Sequence, residues 1–287
     1  MTHTDTTFFK RRSHADLLFK LTSYIVFGVA VVLTLYPIVW MFFDSLKSKA
    51  EFYTNIWGPP QDFLWSNYRD AWLTGGIGTY FLNSVIVTGA TVLIVVVVTA
   101  MAAYTFARLQ FPGSNVLFFF FLSSMMIPHA VMTIPIFAVV SQLGLANTRL
   151  SMILVYSAGS VAFGTFILRA YFSSIPRELE EAAMIDGSTH IGAFFRVILP
   201  LARPGLATQL IFTGLGTWNE YFIGSILVRT EDLRTLPIGL VGFVEKYTTN
   251  YPQLFAALVM VTLPVIVLYI LGQKQFQSGL TAGAVKG

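Results

Sequence analysis

The chain has 287 residues, 55% of them apolar and 11% charged, against roughly 25% charged in an ordinary soluble domain. Successive apolar windows of about 20 residues, each able to cross a hydrocarbon core of about 30 Å, exclude a water-soluble globule and imply an integral membrane protein. The formal net charge is +4 and there is no cysteine, so thiol chemistry, disulfides and cysteine metal sites are excluded; the basic residues are scattered over loops without stacking aromatics, so no nucleic-acid partner is expected.

Residues 1–20 are a polar N-terminal segment with Lys10, Arg11, Arg12 and Lys20, and an apolar run follows over 21–43. That run is too long for the core of a signal peptide and no small-residue cleavage site follows it, so it is expected to remain as the first membrane helix. Hydropathy predicts five further spans, over 81–106, 115–140, 150–168, 205–228 and 254–272. The fold class is therefore all-α: a polytopic bundle of six transmembrane helices over 21–272, with a C-terminal tail over 273–287. Between the spans lie loops at 44–80, 107–114 and 141–149, a polar island at 171–204, and a loop at 229–253.

Eleven of the 18 Lys and Arg residues fall on one side of this arrangement and seven on the other. The positive-inside rule places the larger group, with both termini and the polar island, in the cytoplasm. Pro37, Pro128, Pro135 and Pro264 fall within or near the spans, where proline removes a helix hydrogen bond and favours a kink. Gly159, Ser160, Ala162 and Gly164 on the fourth span are small enough for close helix contact. These features suit a moving bundle and a static one alike.

The island reads Ile-Pro-Arg-Glu-Leu-Glu-Glu-Ala-Ala-Met-Ile-Asp-Gly over 175–187. Pro176 fits the first turn of a helix, Glu178, Glu180 and Glu181 lie near its positive end, and Gly187 is placed to end it in a left-handed conformation. Leu179, Ala182, Ala183 and Asp186 share a face thin enough to enter a cleft on another protein. A second helix begins near Ser188 or Thr189, with Ile191, Phe194, Phe195, Ile198 and Leu199 at amphipathic spacing; their stripe is expected to pack under the bundle or on the membrane surface. Pro200 and Pro204 mark re-entry into the bilayer. On pattern alone, the island is either a docking surface or an ordinary connector with a solvated face.

Glu181-Ala182-Ala183, three residues, Gly187, nine residues and Val197-Ile198-Leu199-Pro200 resemble the EAA loop of ABC importer permeases, whose form is EAA, three residues, G, nine residues, I, any residue, L, P. Val197 departs conservatively from the family isoleucine, and Asp186-Gly187-Ser188 is similar to the "DGA" of the carbohydrate branch. Trp218-Asn219-Glu220-Tyr221 resembles the "WN(D/E)F" element of sugar permeases, Asn83-Ser84 resembles their "NS" element, and the tail 279–287 is similar to the "GLTAGAVKG" ending of maltose-type importers.

The resemblance implies a permease core in the cytoplasmic membrane of a bacterium or archaeon, surrounded by membrane lipid. This subunit would pair with a second homologous permease, two cytoplasmic ATPase subunits and an extracytoplasmic sugar-binding protein. It implies that the island, between the fourth and fifth spans, is the coupling helix, with Glu181, Ala182, Ala183, Asp186, Gly187, Leu199 and Pro200 as the ATPase-coupling residues. No GxxxxGK[ST] phosphate loop occurs in the chain, in keeping with ATP and Mg²⁺ belonging to partner subunits. No cofactor, metal or catalytic residue is expected in this chain.

Glu220 is the only acid in a predicted span, where carboxylates are costly. It would contact sugar hydroxyls or a water-filled path, or hydrogen-bond a neighbouring helix; Asn219 is the companion candidate, and Trp218 and Tyr221 would stack on sugar faces or anchor at the membrane interface. His129 has no companion acid in its span, so helix packing is favoured over proton relay. The aromatic loop 44–80, with Trp57, Trp65 and Tyr68, would meet the binding protein or cap the bundle. An ion-driven secondary transporter is the rival reading; it calls for several ionisable groups in the spans and often an internal repeat. An intramembrane enzyme needs a converging set of acids or histidines that the sequence lacks.

Overall fold

A computed structural model describes residues 6–109, 111–246 and 250–284, with side chains described for all of these except 6–15, 129, 245, 246, 271 and 274–284. All the regular structure among them is helical. The chain divides into two compact units, Met1–Asp70 with Tyr247–Val259, and Ala71–Lys246 with Met260–Gly287.

The first unit is dominated by α1 (Thr6–Ser45), a continuous helix despite Pro37. Its stretch Asp16–Ser45 is long and apolar enough to cross a membrane, and none of its most apolar window is buried within the protein. A helix that is apolar on every side and left uncovered is suited to lipid. The loop beyond α1 is folded. Lys47 and Asp44 are fully buried and paired at 2.6 Å, and Lys47 Nζ also donates to the carbonyls of Asn55 and Ile56, fixing the end of α2 (Lys49–Thr54). Asn67, on α3 (Ser66–Leu73), donates to the carbonyls of Ser45 and Lys47, each at 2.9 Å. Tyr68 shares a 2.6 Å hydrogen bond with Ser45, and burial pushes its phenol above the ordinary tyrosine range.

The second unit contains α4 (Ile77–Arg108), α5 (Ser114–Ser123), α6 (His129–Gln142), α7 (Arg149–Ser174), α8 (Arg177–Ile185), α9 (His190–Ala193), α10 (Leu199–Leu201), α11 (Arg203–Trp218), α12 (Phe222–Leu227) and α13 (Leu236–Lys246). The last helix, α14 (Tyr251–Ala284), begins in the first unit and continues in the second. Helices α4 and α7 pack along their lengths, and α11 lies against both. Close approach of α7 and α11 depends on Gly164, where any Cβ would collide with the Gln209 amide, and on Gly205, where it would collide with the Tyr171 ring. Of the small residues noted on the fourth span, Ala162 and Gly164 are buried, whereas Gly159 and Ser160 line an open pocket.

Four helices are long and apolar enough to span a membrane, or up to six if each of two bent pairs is one span. The predicted third span, 115–140, is broken: α5 and a 3-10 turn end before Ile127 and Pro128, and the halves meet at 103°. Proline disfavours the helical region for the residue before it, and Ile127 is extended at ψ 118°. The predicted fifth span, 205–228, is also broken, because α11 stops at Trp218 and α12 starts afresh at Phe222. The segment 229–253 is not simply a loop: it holds a 3-10 turn at Glu231–Leu233 and α13. Pro237 lies in the first turn of α13, where its missing N–H costs nothing. Helix α14 runs through the boundary drawn at 272, to Ala284.

Candidate functional site

The polar island folds as two helical pieces. Pro176 sits at the N-cap of α8, Glu178 and Glu180 lie in its first turn, and Asp186 is its C-cap. Ser188 N–H reaches Ala183 O at 2.9 Å and Gly187 N–H reaches Met184 O at 3.0 Å, the paired bonds of a Schellman ending. Gly187 has φ +89° with open space where a Cβ would go, so glycine is required here by backbone conformation and not by crowding. Leu179, Glu181, Ala182, Ile185 and Asp186 are exposed, and Ala183 is half-buried. The predicted thin face therefore exists, with Ile185, 86% exposed, as an additional apolar member.

Glu180 points the other way and is the residue that sequence reasoning undervalued. Its side chain is 8% exposed and pairs at 3.4 Å with Arg108 Nε, itself on a side chain only 4% exposed. It accepts a hydrogen bond from Tyr104 OH, and His190 Nδ1 lies 3.7 Å away. Arg108 Nη2 also donates to Ile175 O at 2.7 Å, and Tyr104 OH lies 3.3 Å from His190 O. One buried carboxylate thus joins the end of α4, the exit of α7 and both pieces of the island. The four-residue offset of Tyr104 and Arg108, facing an acidic helix start, was the available signal.

The predicted apolar stripe from Ile191 to Leu199 is split. Phe194 and Ile198 are buried with Ala100, Ala103, Tyr104, Leu168, Phe172 and Ala202, whereas Ile191 and Phe195 are 71% and 59% exposed. The cause is a π-helical turn at Phe194–Ile198, with Leu199 N–H bonded to Phe194 O. A turn wider than 3.6 residues keeps side chains four apart on one face, so Phe194, Ile198 and Ala202 align inward. Pro200 lacks an N–H and its ring crowds the carbonyl four residues back; the wide turn just ahead of it relieves that crowding. Beyond Pro200 the chain bends by 75° into α11.

The Trp218–Tyr221 segment is the break after α11. Asn219 caps that helix, its Nδ2 donating to Leu215 O at 2.9 Å. Glu220 does not lie within a helix: Oε1 accepts from Ile223 N–H at 2.8 Å and Oε2 from Gly224 N–H at 3.0 Å. Its carboxylate satisfies two donors at the start of α12 and faces the positive end of that short helix. Trp218 is buried and edge-on to Phe81 at 5.7 Å; Tyr221 is exposed. A pocket of about 520 Å³ opens between α6, α7, α11 and α12, with Met132, Pro135, Tyr156, Gly159, Thr217 and Glu220 among its lining. Of the four predicted path residues only Glu220 lines it, and Tyr156 is the polar neighbour the sequence did not single out. The His129 side chain lies outside the described residues. No group of acids or histidines able to hold a metal occurs among the described residues.

Asn83 and Ser84 act at the opposite end of α4. Asn83 Nδ2 donates to Asp232 O and Arg234 O at 2.8 and 2.9 Å, Arg149 Nε donates to Asn83 Oδ1 at 2.8 Å, and Leu236 N–H donates to Ser84 Oγ at 2.8 Å. Tyr80 OH donates to Glu231 Oε1 at 2.9 Å. Asn147, at φ +59°, accepts from Arg229 and Thr230 N–H at 3.0 Å each. Together these bonds clasp the chain between α12 and α13 onto α4 and the start of α7.

The model of the family of binding-protein-dependent transport system inner membrane components matches residues 95–280. The chain is 39% identical over 252 residues to the probable ABC transporter permease protein YurM of Bacillus subtilis, covering 88% of this chain and 84% of that protein. It is 34% identical over 274 residues to the diacetylchitobiose uptake system permease protein NgcG of Streptomyces coelicolor, covering 95% and 91%. Among solved structures, a chain of a bacterial ABC transporter involved in import of the acidic polysaccharide alginate aligns with TM-score 0.81 at 26% identity, covering 91% of this chain and 98% of that one.

Proposed function

We propose, on the premise that the chain belongs to the family of binding-protein-dependent transport system inner membrane components, that it forms half of the translocation path of an ATP-driven importer for a di- or oligosaccharide. The uptake of diacetylchitobiose named for the relative in Streptomyces coelicolor supports a short oligosaccharide as cargo. The partners are a second homologous permease, two ATPase subunits that hold ATP and Mg²⁺, and an extracytoplasmic sugar-binding protein. The chain resides in the cytoplasmic membrane with both termini and the island on the cytoplasmic side, in keeping with its basic residues.

One observation carries the reading: α8 offers an exposed face while its buried Glu180 is tied to α4. Glu181, Ala182, Ala183, Asp186 and Gly187 form the surface received by the ATPase, and Leu199 and Pro200 shape the turn that joins it to α11. A push on that face passes to the spans through rigid contacts, so nucleotide that favours one ATPase arrangement shifts the balance between inward-open and outward-open states. Glu220, Tyr156, Ser160 and Thr217 supply the polar groups of a mostly apolar pocket, a composition suited to a sugar's hydroxyls and ring faces.

The test is Glu181→Lys. Glu181 is exposed, so the variant should reach normal membrane levels and bind sugar-loaded binding protein, yet lose uptake and binding-protein-stimulated ATP hydrolysis. Normal uptake at normal levels would sink the coupling assignment.

A further inference from the structure

A second pocket, of about 550 Å³, lies at the end of the second unit that carries α8; Arg108, Arg169 and Arg177 line it with Ser114, Asn115 and Phe111. Among the described residues no carboxylate lines it. The charge of Arg108 is matched by Glu180. Arg169 stacks over the Phe118 ring at 3.8 Å and its Nη2 donates to Asn115 Oδ1 at 3.3 Å. Neither Arg169 nor the exposed Arg177 makes an ion pair with a carboxylate among the described residues. Two guanidinium groups without a paired carboxylate among the described residues therefore line one polar cavity.

Two helix starts add to the positive field. Helix α5 begins at Ser114 behind Gly113, α8 begins at Arg177 behind Pro176, and neither has a side-chain cap. Ser114 N–H is taken up by Phe111 O at 3.2 Å, so α5 adds the positive end of its dipole, and α8 adds its own with the N–H groups of its first turn. Both Ser114 and Arg177 belong to the pocket lining. Planar guanidinium groups beside two positive helix ends form a set matched to phosphate oxygens.

The surroundings select the source of that phosphate. Within two turns of Ser114, Val116, Leu117, Phe119 and Phe120 are 72%, 52%, 69% and 77% exposed. A free anion would occupy the polar cavity and leave this apolar surface uncovered, whereas a phospholipid fills the cavity with its headgroup and lays its acyl chains along α5.

We propose that this pocket binds the phosphate headgroup of an anionic phospholipid from the leaflet on the side of α8, in the manner open to basic pockets between membrane helices. Assignment of that leaflet to the cytoplasm rests on the proposed orientation; the binding itself does not. Because Arg177 is the first residue of α8, the lipid ties the start of that helix to the membrane.

The full-length chain, purified in a neutral detergent, is titrated with dioleoylphosphatidylglycerol and, separately, dioleoylphosphatidylcholine, and adducts are quantified by native mass spectrometry. Phosphatidylglycerol should bind the more tightly. Arg177→Gln should weaken it about fivefold, and Arg169→Gln combined with Arg177→Gln about thirtyfold. Arg177 is exposed, so its single variant should keep the thermal unfolding midpoint of the parent and guards against misreading a folding defect. Millimolar inorganic phosphate should leave the lipid bound. Equal affinity for the two lipids, phosphatidylglycerol binding unchanged in the variants, or displacement by phosphate with the site behaving as a soluble-anion site would each overturn the proposal. Binding is read without sugar or ATP, so its failure is separable from failure of the transport function.

Discussion

Glu180 and Glu181 are adjacent in the chain and opposite in role. Glu180 is buried against Arg108 and Tyr104, whereas Glu181 is exposed. Glu180→Gln keeps an acceptor for Tyr104 but strands the Arg108 guanidinium, and loss of one partner of a buried ion pair costs about 3 kcal/mol. The expected result is a thermal unfolding midpoint several degrees below the parent in the purified chain. Tyr104→Phe, which removes a hydrogen bond to a charged group, should cost about 2 kcal/mol. If Glu180→Gln leaves the midpoint unchanged, the buried node does not hold α8. The sequence pattern made the charge of α8 visible but not its direction, because an acid in a first turn suits the helix dipole whether it faces solvent or a partner. Burial of Glu180 depends on α4, 76 residues away in the chain; the four-residue spacing of Tyr104 and Arg108 places them on one helix face but does not say which acid they meet. Glu220 shows the same limit: its cost in an apolar stretch was evident, but the two N–H groups that compensate it appear only because α11 stops at Trp218.

The π turn at Phe194–Ile198 yields a sharper test of how the island is held. A regular amphipathic helix would place Phe194 and Phe195 together on the buried stripe, whereas the wide turn buries the first and exposes the second. Phe194→Ala should therefore cost about 3 kcal/mol, as large-to-small core substitutions do, and Phe195→Ala should stay within about 0.5 kcal/mol. Comparable losses of thermal stability for both would return the segment to an ordinary helix. Element existence followed from hydropathy and the ends of α4 and α7 from polar flanks, so α1, α4, α7 and α14 match predicted spans to within a turn or so on at least one side. The predicted third and fifth spans are present but broken, because continuity depended on more than apolar length. Pro128 broke one, and the Glu220 cap gave the other a new helix start. Helix α13 was hidden because Pro237 and two glycines resemble loop signals; the bonds from Asn83 and Ser84 hold its approach.

Within the second unit, α4 carries the clasp at one end and the Glu180 node at the other. Its 32 residues rise about 48 Å at 1.5 Å per residue, close to the full thickness of a bilayer with its headgroups. Force applied at α8 thus has a stiff path along α4, which packs against α7 and α11, two of the helices that line the Glu220 pocket, and this is the arrangement a motor-driven permease needs and an ion-driven carrier does not. A carrier coupled to protons or sodium binds its ion at ionisable or carbonyl groups near the membrane centre. Here the Glu220 carboxylate is already committed to two backbone donors of α12, and Glu180 is committed to Arg108 and Tyr104 at the α8 node. Uptake of the cognate oligosaccharide by cells bearing the whole transporter should accordingly stop when ATP is depleted with the membrane potential maintained. It should persist when an uncoupler collapses the proton gradient while ATP is held constant. Initial rates of radiolabelled sugar uptake, with ATP and potential measured in the same cells, separate the two energy sources. Uptake that follows the gradient and ignores ATP would replace the motor-driven reading with a secondary carrier, and the exposed face of α8 would then need another partner.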